Sequence, residues 1–187
     1  MENVGTTYTR TALALHWASA LLIFASFAIG LYAVDLKLSP IKLKLYSYHK
    51  WIGVTVFALA VARLLWRWRH PAPPLPGGMA RWEQITAHGT HAAIYVLLFA
   101  VPITGWLMSS AAGVPVVYLG IWQLPDLVAK DKALADALKT VHYALNKTLL
   151  ALVVLHVAAA LKHQFVDRDD ILGRMLTWRR ANRTMEE

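Results

Sequence analysis

Four histidines lie inside or at the edge of long apolar stretches of the chain: His16, His49, His142 and His156. The last two are 14 residues apart on one stretch, which in an α-helix separates them by about 21 Å along the axis and about 40° around it. His16 and His49 begin two other stretches, so in a four-span bundle each can pair with one of them at matching depth. Paired imidazoles are axial ligands of electron-transfer haems. The spacing therefore predicts two bis-histidine haem b sites, His16/His156 and His49/His142, with these histidines as iron ligands.

Other uses of the same histidines fit the pattern less well. A single intramembrane histidine could be a hydrogen-bonded core residue, but four in depth-matched pairs favour a function. Transport of a metal ion needs several ligands within reach of one ion, whereas the two pairs are separated by about 20 Å. The chain has no cysteine, which excludes disulfides, thiolate-held iron–sulfur clusters and covalent haem attachment through a Cys-x-x-Cys-His motif.

The composition predicts the elements that must hold these histidines. The chain has 187 residues, of which 57% are hydrophobic, and a mean hydropathy of +0.43. Four stretches approach or exceed the roughly 20 residues that cross a bilayer core: 13–34, 49–66, 91–110 and 142–164. We therefore expect residues 1–187 to form a single all-α domain, an integral membrane four-helix bundle. A signal peptide is the competing interpretation of the first stretch, but the apolar run is long and no clear cleavage site follows it.

The connections between these stretches differ in character. The proline-rich segment from His70 to Gly78 predicts a rigid, non-helical loop, since proline removes backbone donors and blocks helix. Residues 111–140 form a longer connection. We expect its apolar part, 114–122, to lie in the membrane interface, and we expect 130–140 to form a short polar helix that leads into the fourth stretch.

Arginines and lysines are distributed differently between the two membrane faces of the expected bundle. In a four-span arrangement every arginine and Lys162 fall on the side that holds both termini. The positive-inside rule then predicts that both termini are cytoplasmic. The outer side carries a basic rim made of lysines alone: Lys37, Lys42, Lys44, Lys50, Lys130, Lys132, Lys139 and Lys147. Such a rim would attract a small anion, although contact with anionic lipid or simple solubility explains it equally well.

Three more residues are candidates for binding near the inner histidine pair. Arg63 follows His49 by 14 residues, so its guanidinium could pair there with a haem propionate, or it could anchor the helix at the interface. His163 follows His156 by one heptad, and His91, close to His88, begins the third stretch at the same side. These imidazoles could bind a quinone carbonyl or receive protons, unless they simply face the wet interface.

The chain resembles the bacterial cytochrome b561 family, whose members are small four-helix dihaem proteins of the inner membrane. The resemblance extends over roughly residues 8–178 and is carried by LHW at 15–17, HKWIG at 49–53, ARLLWR at 62–67, AHGTH at 87–91, PITGW at 102–106, SSA at 109–111, HY at 142–143 and HVAAALKH at 156–163. It implies an inner-membrane location and haem ligation by His16, His49, His142 and His156, the same four residues that the spacing selects.

One branch of that family, the superoxide oxidases, takes electrons from superoxide at the outer face and passes them to ubiquinone. This branch implies that Lys50 and Lys147, near the expected outer haem, serve catalysis by attracting superoxide. Membrane lipid, ubiquinone and superoxide are then the expected partners, without nucleic acid and without an obligate protein partner. Where the family often has a His-His pair after Ala-Leu-Lys, this chain has His163-Gln164, which puts any role of a second histidine there in doubt.

Two other functions stay open at this stage. A general quinol-linked cytochrome b, or a membrane subunit that serves a separate dehydrogenase, would use the same haem ligands and would need a docking surface for its partner. A structural or transport bundle without redox chemistry would bind no haem and would be colourless.

Overall fold

The computed structural model describes residues 8–75, 78–169 and 171–176. Its elements are α1 (Arg10–Asp35), α2 (Pro40–Arg69), α3 (Arg81–Ala111), β1 (Val117–Tyr118), β2 (Trp122–Gln123), α4 (Lys132–Lys162), a π-helical turn (His163–Asp167) and α5 (Ile171–Leu176). Four helical segments are long and apolar enough to cross a membrane: α1, α2, α3, and α4 together with the π-helical turn. The predicted all-α membrane bundle is confirmed.

The helices begin earlier than the apolar stretches suggest, and polar side chains cap the first turns of α1, α2 and α4. Ser39 caps α2 through its hydroxyl, which accepts a hydrogen bond from the backbone N–H of Lys42 at 3.3 Å. Pro40 occupies the first turn of α2, where the backbone N–H that proline lacks would have no partner within the helix. Asp131 caps α4 in the same way, accepting from Leu134 N–H at 3.1 Å. The polar helix expected over 130–140 is present from Lys132, and it continues without a break into the fourth apolar stretch as the first part of α4.

Packing follows the order of the chain: α1 packs against α2, α2 against α3, and α3 against α4. A small core forms where Val56 and Ala60 of α2 meet Leu98 of α3. Large apolar side chains on the outside are exposed, for example Leu21, Leu31 and Val154. In a bilayer these side chains contact lipid, so the bundle does not need a thick apolar core of its own.

We call the end of the bundle that carries the short strands the outer end. There β1 and β2 pair antiparallel, with Val117 opposite Gln123 and Tyr118 opposite Trp122. The indole of Trp51 in α2 fastens this hairpin by donating to the carbonyl of Val117 at 2.6 Å. Leu119, at φ +53°, and Gly120, at φ +74°, make the turn.

The opposite end, which we call the inner end, is closed by the C-terminal part of the described chain. The indole of Trp17 in α1 donates to the carbonyl of Met175 in α5 at 2.9 Å. Arg174 of α5 donates to the carbonyl of Pro74 in the α2–α3 loop at 3.2 Å. These two bonds tie α5 to both the first helix and the proline-rich loop.

Candidate functional site

The four histidines face one another in two pairs inside the bundle. The ring centroids of His16 and His156 are 6.3 Å apart, and those of His49 and His142 are 6.4 Å apart. An imidazole nitrogen binds a first-row metal at about 2.0–2.1 Å and lies about 1.1 Å from its ring centre, so two imidazoles on opposite sides of one metal have centroids about 6.3 Å apart. Both pairs therefore have the spacing that bis-histidine ligation requires.

In the outer pair, His49 and His142, backbone carbonyls fix which ring nitrogen carries the proton. His49 Nδ1 lies 3.1 Å from the carbonyl oxygen of Ser26, and His142 Nδ1 lies 3.1 Å from that of Val101. A carbonyl only accepts hydrogen bonds, so Nδ1 is the donor and the lone pair of Nε2 remains free. This arrangement, with one nitrogen held by a carbonyl, is typical of histidines that bind a metal through the other nitrogen.

Two glycines allow neighbouring helices to approach the outer rings. A Cβ atom on Gly30 would lie 3.2 Å from Cε1 of His49, and one on Gly105 would lie 3.1 Å from Cε1 of His142. Gly30 follows His16 by 14 residues, which places it at this depth along α1, but no sequence pattern indicates a role for Gly105, Ser26 or Val101. Main-chain acceptors and close helix approaches depend on how helices pack, and no residue type marks them.

In the inner pair, His16 and His156, the Nδ1 atom of His16 is bonded to a side chain and not to a backbone carbonyl. Nη2 of Arg63 lies 3.2 Å from Nδ1 of His16, and the guanidinium carbon lies 5.4 Å from the ring centre of Tyr95. A guanidinium only donates, so this bond makes Nδ1 of His16 the acceptor and puts the proton of the neutral ring on Nε2. Iron ligation through Nε2 needs the opposite tautomer, so ligand binding at His16 requires Arg63 to release this bond.

His91 lies beside the inner pair but does not have the spacing of a ligand opposite His156. Its ring centroid is 5.1 Å from that of His156, in an edge contact at 65°. This distance is too short for two imidazoles on opposite sides of one metal. His91 is therefore placed as a neighbour of the ligand candidates, next to His156.

His163 is buried at the inner end, with 8% of its surface exposed, about 10.5 Å along the helix from His156. Its Nδ1 lies 2.8 Å from Oδ2 of Asp169 and 3.0 Å from Oδ2 of Asp167. A cavity of about 350 Å³ adjoins this group and is lined by Gly78, Met79, Glu83, His163, Asp167 and Asp169. The sequence analysis missed both aspartates. Asp167, four residues after His163, was detectable from helical spacing, but Asp169 was not.

Lys50 and Lys147, the predicted catalytic lysines, lie on different kinds of surface. Lys50 is half-buried under the hairpin segment, and its Nζ donates to the carbonyls of Val114 and Pro115, both at 3.4 Å. Lys147 is exposed, with Nζ 4.6 Å from the ring centre of Tyr143. Other lysines of the basic rim are already engaged: Lys42 donates to Leu36 O at 2.6 Å, and Lys132 pairs with Asp136 at 2.8 Å.

A four-span helical bundle with facing histidines at two depths defines a class of protein, the transmembrane cytochromes b, which hold haem between helices through histidine ligands. Within this class, the chain belongs to the prokaryotic cytochrome b561 family, whose sequence model matches residues 7–178. It is similar to cytochrome b561 homolog 2 of Escherichia coli K12, with 38% identity over 93% of both chains.

Two further relatives are more distant. A probable superoxide oxidase, CybB, of Yersinia pestis is 28% identical over 93% of this chain and 98% of its own length. Cytochrome b561 homolog 1 of E. coli K12 is 24% identical over 92% and 98%. The resemblance found in the sequence is thus confirmed: the protein is a membrane cytochrome of an electron-transfer family, and haem b is the cofactor that the family implies.

Proposed function

We propose that the protein is a superoxide:ubiquinone oxidoreductase with two haem b groups. The observation that carries the proposal is that the histidines form two pairs with the spacing of iron ligands, with ring centroids 6.3 Å and 6.4 Å apart. The two pairs are separated by about 21 Å along α4. In this assignment His49 and His142 hold the outer haem iron, and His16 and His156 hold the inner one. The name of the Yersinia pestis relative, a probable superoxide oxidase, supports the choice of substrate.

Bound haem supplies one-electron chemistry, which matches superoxide, a one-electron donor. The overall reaction balances as two superoxide anions and one ubiquinone, with two protons, giving two O₂ and one ubiquinol. The chain's own task is to keep the ligand nitrogens in the required tautomer. The carbonyls of Ser26 and Val101 do this for the outer pair, and Arg63, once released from His16, is available to pair with a propionate at the inner site.

Lys50 and Lys147 are proposed to attract superoxide toward the outer haem. Lys50 directly follows the ligand candidate His49, and it is half-buried where the hairpin meets α2. A cation in a partly desolvated position exerts a stronger field than one in bulk water. Lys147 adds a second positive charge five residues after His142 on α4, about 7.5 Å along the helix axis and about 140° around it.

Ubiquinone is proposed to react at the inner end, near His91 and His163. The contact of His91 with His156 and the cavity beside His163 support this location.

We propose a bacterial inner-membrane location with both termini in the cytoplasm, supported by the arginines on the side of the termini and the positive-inside rule. Protons for ubiquinol would then come from the cytoplasm.

The test is a stopped-flow experiment on the haem-loaded protein in mild detergent. A superoxide pulse without ubiquinone should reduce a bis-histidine b-type spectrum, and added ubiquinone should reoxidise it. H70A is a matched control, because His70 stacks on Trp66 at the end of α2, outside both pairs. Haem that ignores superoxide but is reduced by quinol would overturn the proposal in favour of an electron carrier that serves a separate dehydrogenase. Purified protein that binds no haem would overturn it altogether.

A further inference from the structure

The inner end contains an irregular backbone segment whose shape brings two carboxylates to one imidazole. Residues His163–Asp167 form a π-helical turn, and Arg168, which follows, adopts a left-handed conformation at φ +55°. In a regular α-helix Asp169, six residues after His163, would lie about 120° away around the helix. The π-helical turn and the left-handed residue instead bring its Oδ2 within 2.8 Å of His163 Nδ1. π-helical turns are frequent at functional sites.

The two aspartates differ in how their charges are used. Oδ2 of Asp167 is 2.7 Å from Lys162 Nζ, which also pairs with Glu83 of α3 at 2.8 Å. Much of the charge of Asp167 is therefore balanced by Lys162. Asp169 has His163 as its ion-pairing partner, and within the described part of the chain its buried Oδ1 has no hydrogen-bond partner. Asp169 is thus the carboxylate whose charge is directed at the imidazole.

The hydrogen bonds define the orientation of His163. Carboxylates accept, so Nδ1 carries the proton and donates it to Asp169 at 2.8 Å, while Asp167 lies within ion-pairing distance at 3.0 Å. The other nitrogen, Nε2, is then left to exchange a proton with a ligand. The three groups lie close enough to surround a cation, but Nδ1 is at hydrogen-bonding distance from both carboxylates and Lys162 already pairs with one of them, which favours a proton over a metal ion.

We propose that Asp169 is a positioning residue that holds His163 ready to donate protons to ubiquinone from the adjoining cavity. The inference rests on the proposed function, since it requires quinone reduction at this end. In each of the two proton transfers the Nε2–H bond breaks and an O–H bond forms on the quinone oxygen, while the N–H electron pair stays on Nε2. The imidazolium is then restored from cytoplasmic water, and superoxide supplies the two electrons. The charged groups around His163 in this cavity are Asp167, Asp169, Glu83 and Lys162.

The test compares D169N with D167N, which removes the other carboxylate near the same imidazole, the one that lies at ion-pairing distance without a hydrogen bond. Haem content and haem reduction by superoxide are recorded first, and then the ubiquinone-dependent reoxidation rate is measured. We expect D169N to slow reoxidation by about 100-fold, the lower end of what a positioned proton donor contributes, while haem content and haem reduction by superoxide stay at the wild-type level. D167N should cause a smaller loss, because Lys162 shares that carboxylate.

A double-variant cycle keeps the inference testable if D169N alone is hard to interpret. If Asp169 acts through His163, the combined H163N and D169N variant should reoxidise no more slowly than H163N, and D169E should recover much of the rate. Additive losses, or a wild-type reoxidation rate in D169N, would overturn the role of Asp169 while leaving the proposed function intact. A wild-type protein that ubiquinone fails to reoxidise would instead overturn the proposed function, and this inference with it.

Discussion

The outer and inner histidine pairs have nearly the same separation but are supported in different ways. His49 and His142 are each bonded through Nδ1 to a backbone carbonyl, and glycines of α1 and α3 bring those helices against their rings. At the inner pair, His16 is bonded to the guanidinium of Arg63, and His156 is in contact with the ring of His91. The hydroxyls of Ser26 and Thr104 also lie 3.1 Å and 3.3 Å from the Nδ1 atoms of His49 and His142. The outer site is thus held by carbonyls and hydroxyls, which keep their protonation at neutral pH, and the inner site by side chains that can move or exchange protons.

This difference suits the two halves of the proposed reaction. Superoxide oxidation takes up no proton, so a fixed ligand environment is sufficient at the outer end. Quinone reduction needs two protons for each quinol, and the inner end carries histidines and carboxylates that can relay them: His91, His163, Asp167 and Asp169. The contrast gives predictions that separate the two sites.

Removal of a ligand histidine should have the largest effect. We expect H142A to lose the outer haem and H156A to lose the inner one, so that each variant retains about half of the wild-type haem, because each lacks one of the two proposed iron ligands of its site. Haem content per protein and the low-temperature absorption spectrum measure this. H91A should keep both haems, since His91 lacks ligand spacing. Loss of the inner haem in H91A with its retention in H16A would show that the inner pair has been assigned wrongly.

The next effect concerns the close approach of helices to the outer rings. A methyl group at Gly105 would lie 3.1 Å from a His142 ring that is fixed by Val101, so the ring cannot yield freely, and we expect G105A to cost about 1–3 kcal/mol and to lower outer haem occupancy. Haem occupancy and thermal stability of the purified protein measure it. G53A is the matched control, since among the described residues no atom lies within 4 Å of a Cβ at that position. Equal behaviour of the two variants would contradict the packing argument.

These sites also mark how far the sequence can predict the structure. Helical spacing along α4 and the apolar stretches predict the bundle and the depth-matched histidines, because both follow from a regular period. The groups that hydrogen-bond to these histidines and to His163 do not follow such a period. Val101 and Ser26 act through carbonyl oxygens, which every residue possesses, and Asp169 reaches His163 only through an irregular backbone. No period in the sequence encodes such contacts, so they require the folded chain.

A smaller effect should distinguish the inner site electrostatically. Replacing Arg63 with glutamine removes a positive charge 3.2 Å from His16. Since a nearby cation favours the reduced haem, R63Q should lower the potential of the inner haem, by the equivalent of about 1–2 kcal/mol for a unit charge several ångströms away, and leave the outer potential unchanged. Spectroelectrochemical titration resolves the two haems. R67Q, one turn further along α2, provides the control. A shift of the outer potential in R63Q would contradict the assignment of Arg63 to the inner site.

The smallest effect should come from the lysines at the outer end, because their proposed role is to attract superoxide without contacting iron. K50E reverses a charge held against the carbonyls of Val114 and Pro115, so we expect it to lower the second-order rate constant for superoxide severalfold and to flatten its decline with ionic strength. K147E should act in the same direction but more weakly, since Lys147 is exposed and its field is screened by solvent. K132E is the control, as Lys132 is already paired with Asp136. If all three variants slow the reaction equally, attraction comes from the net charge of the rim and not from lysines near the outer pair.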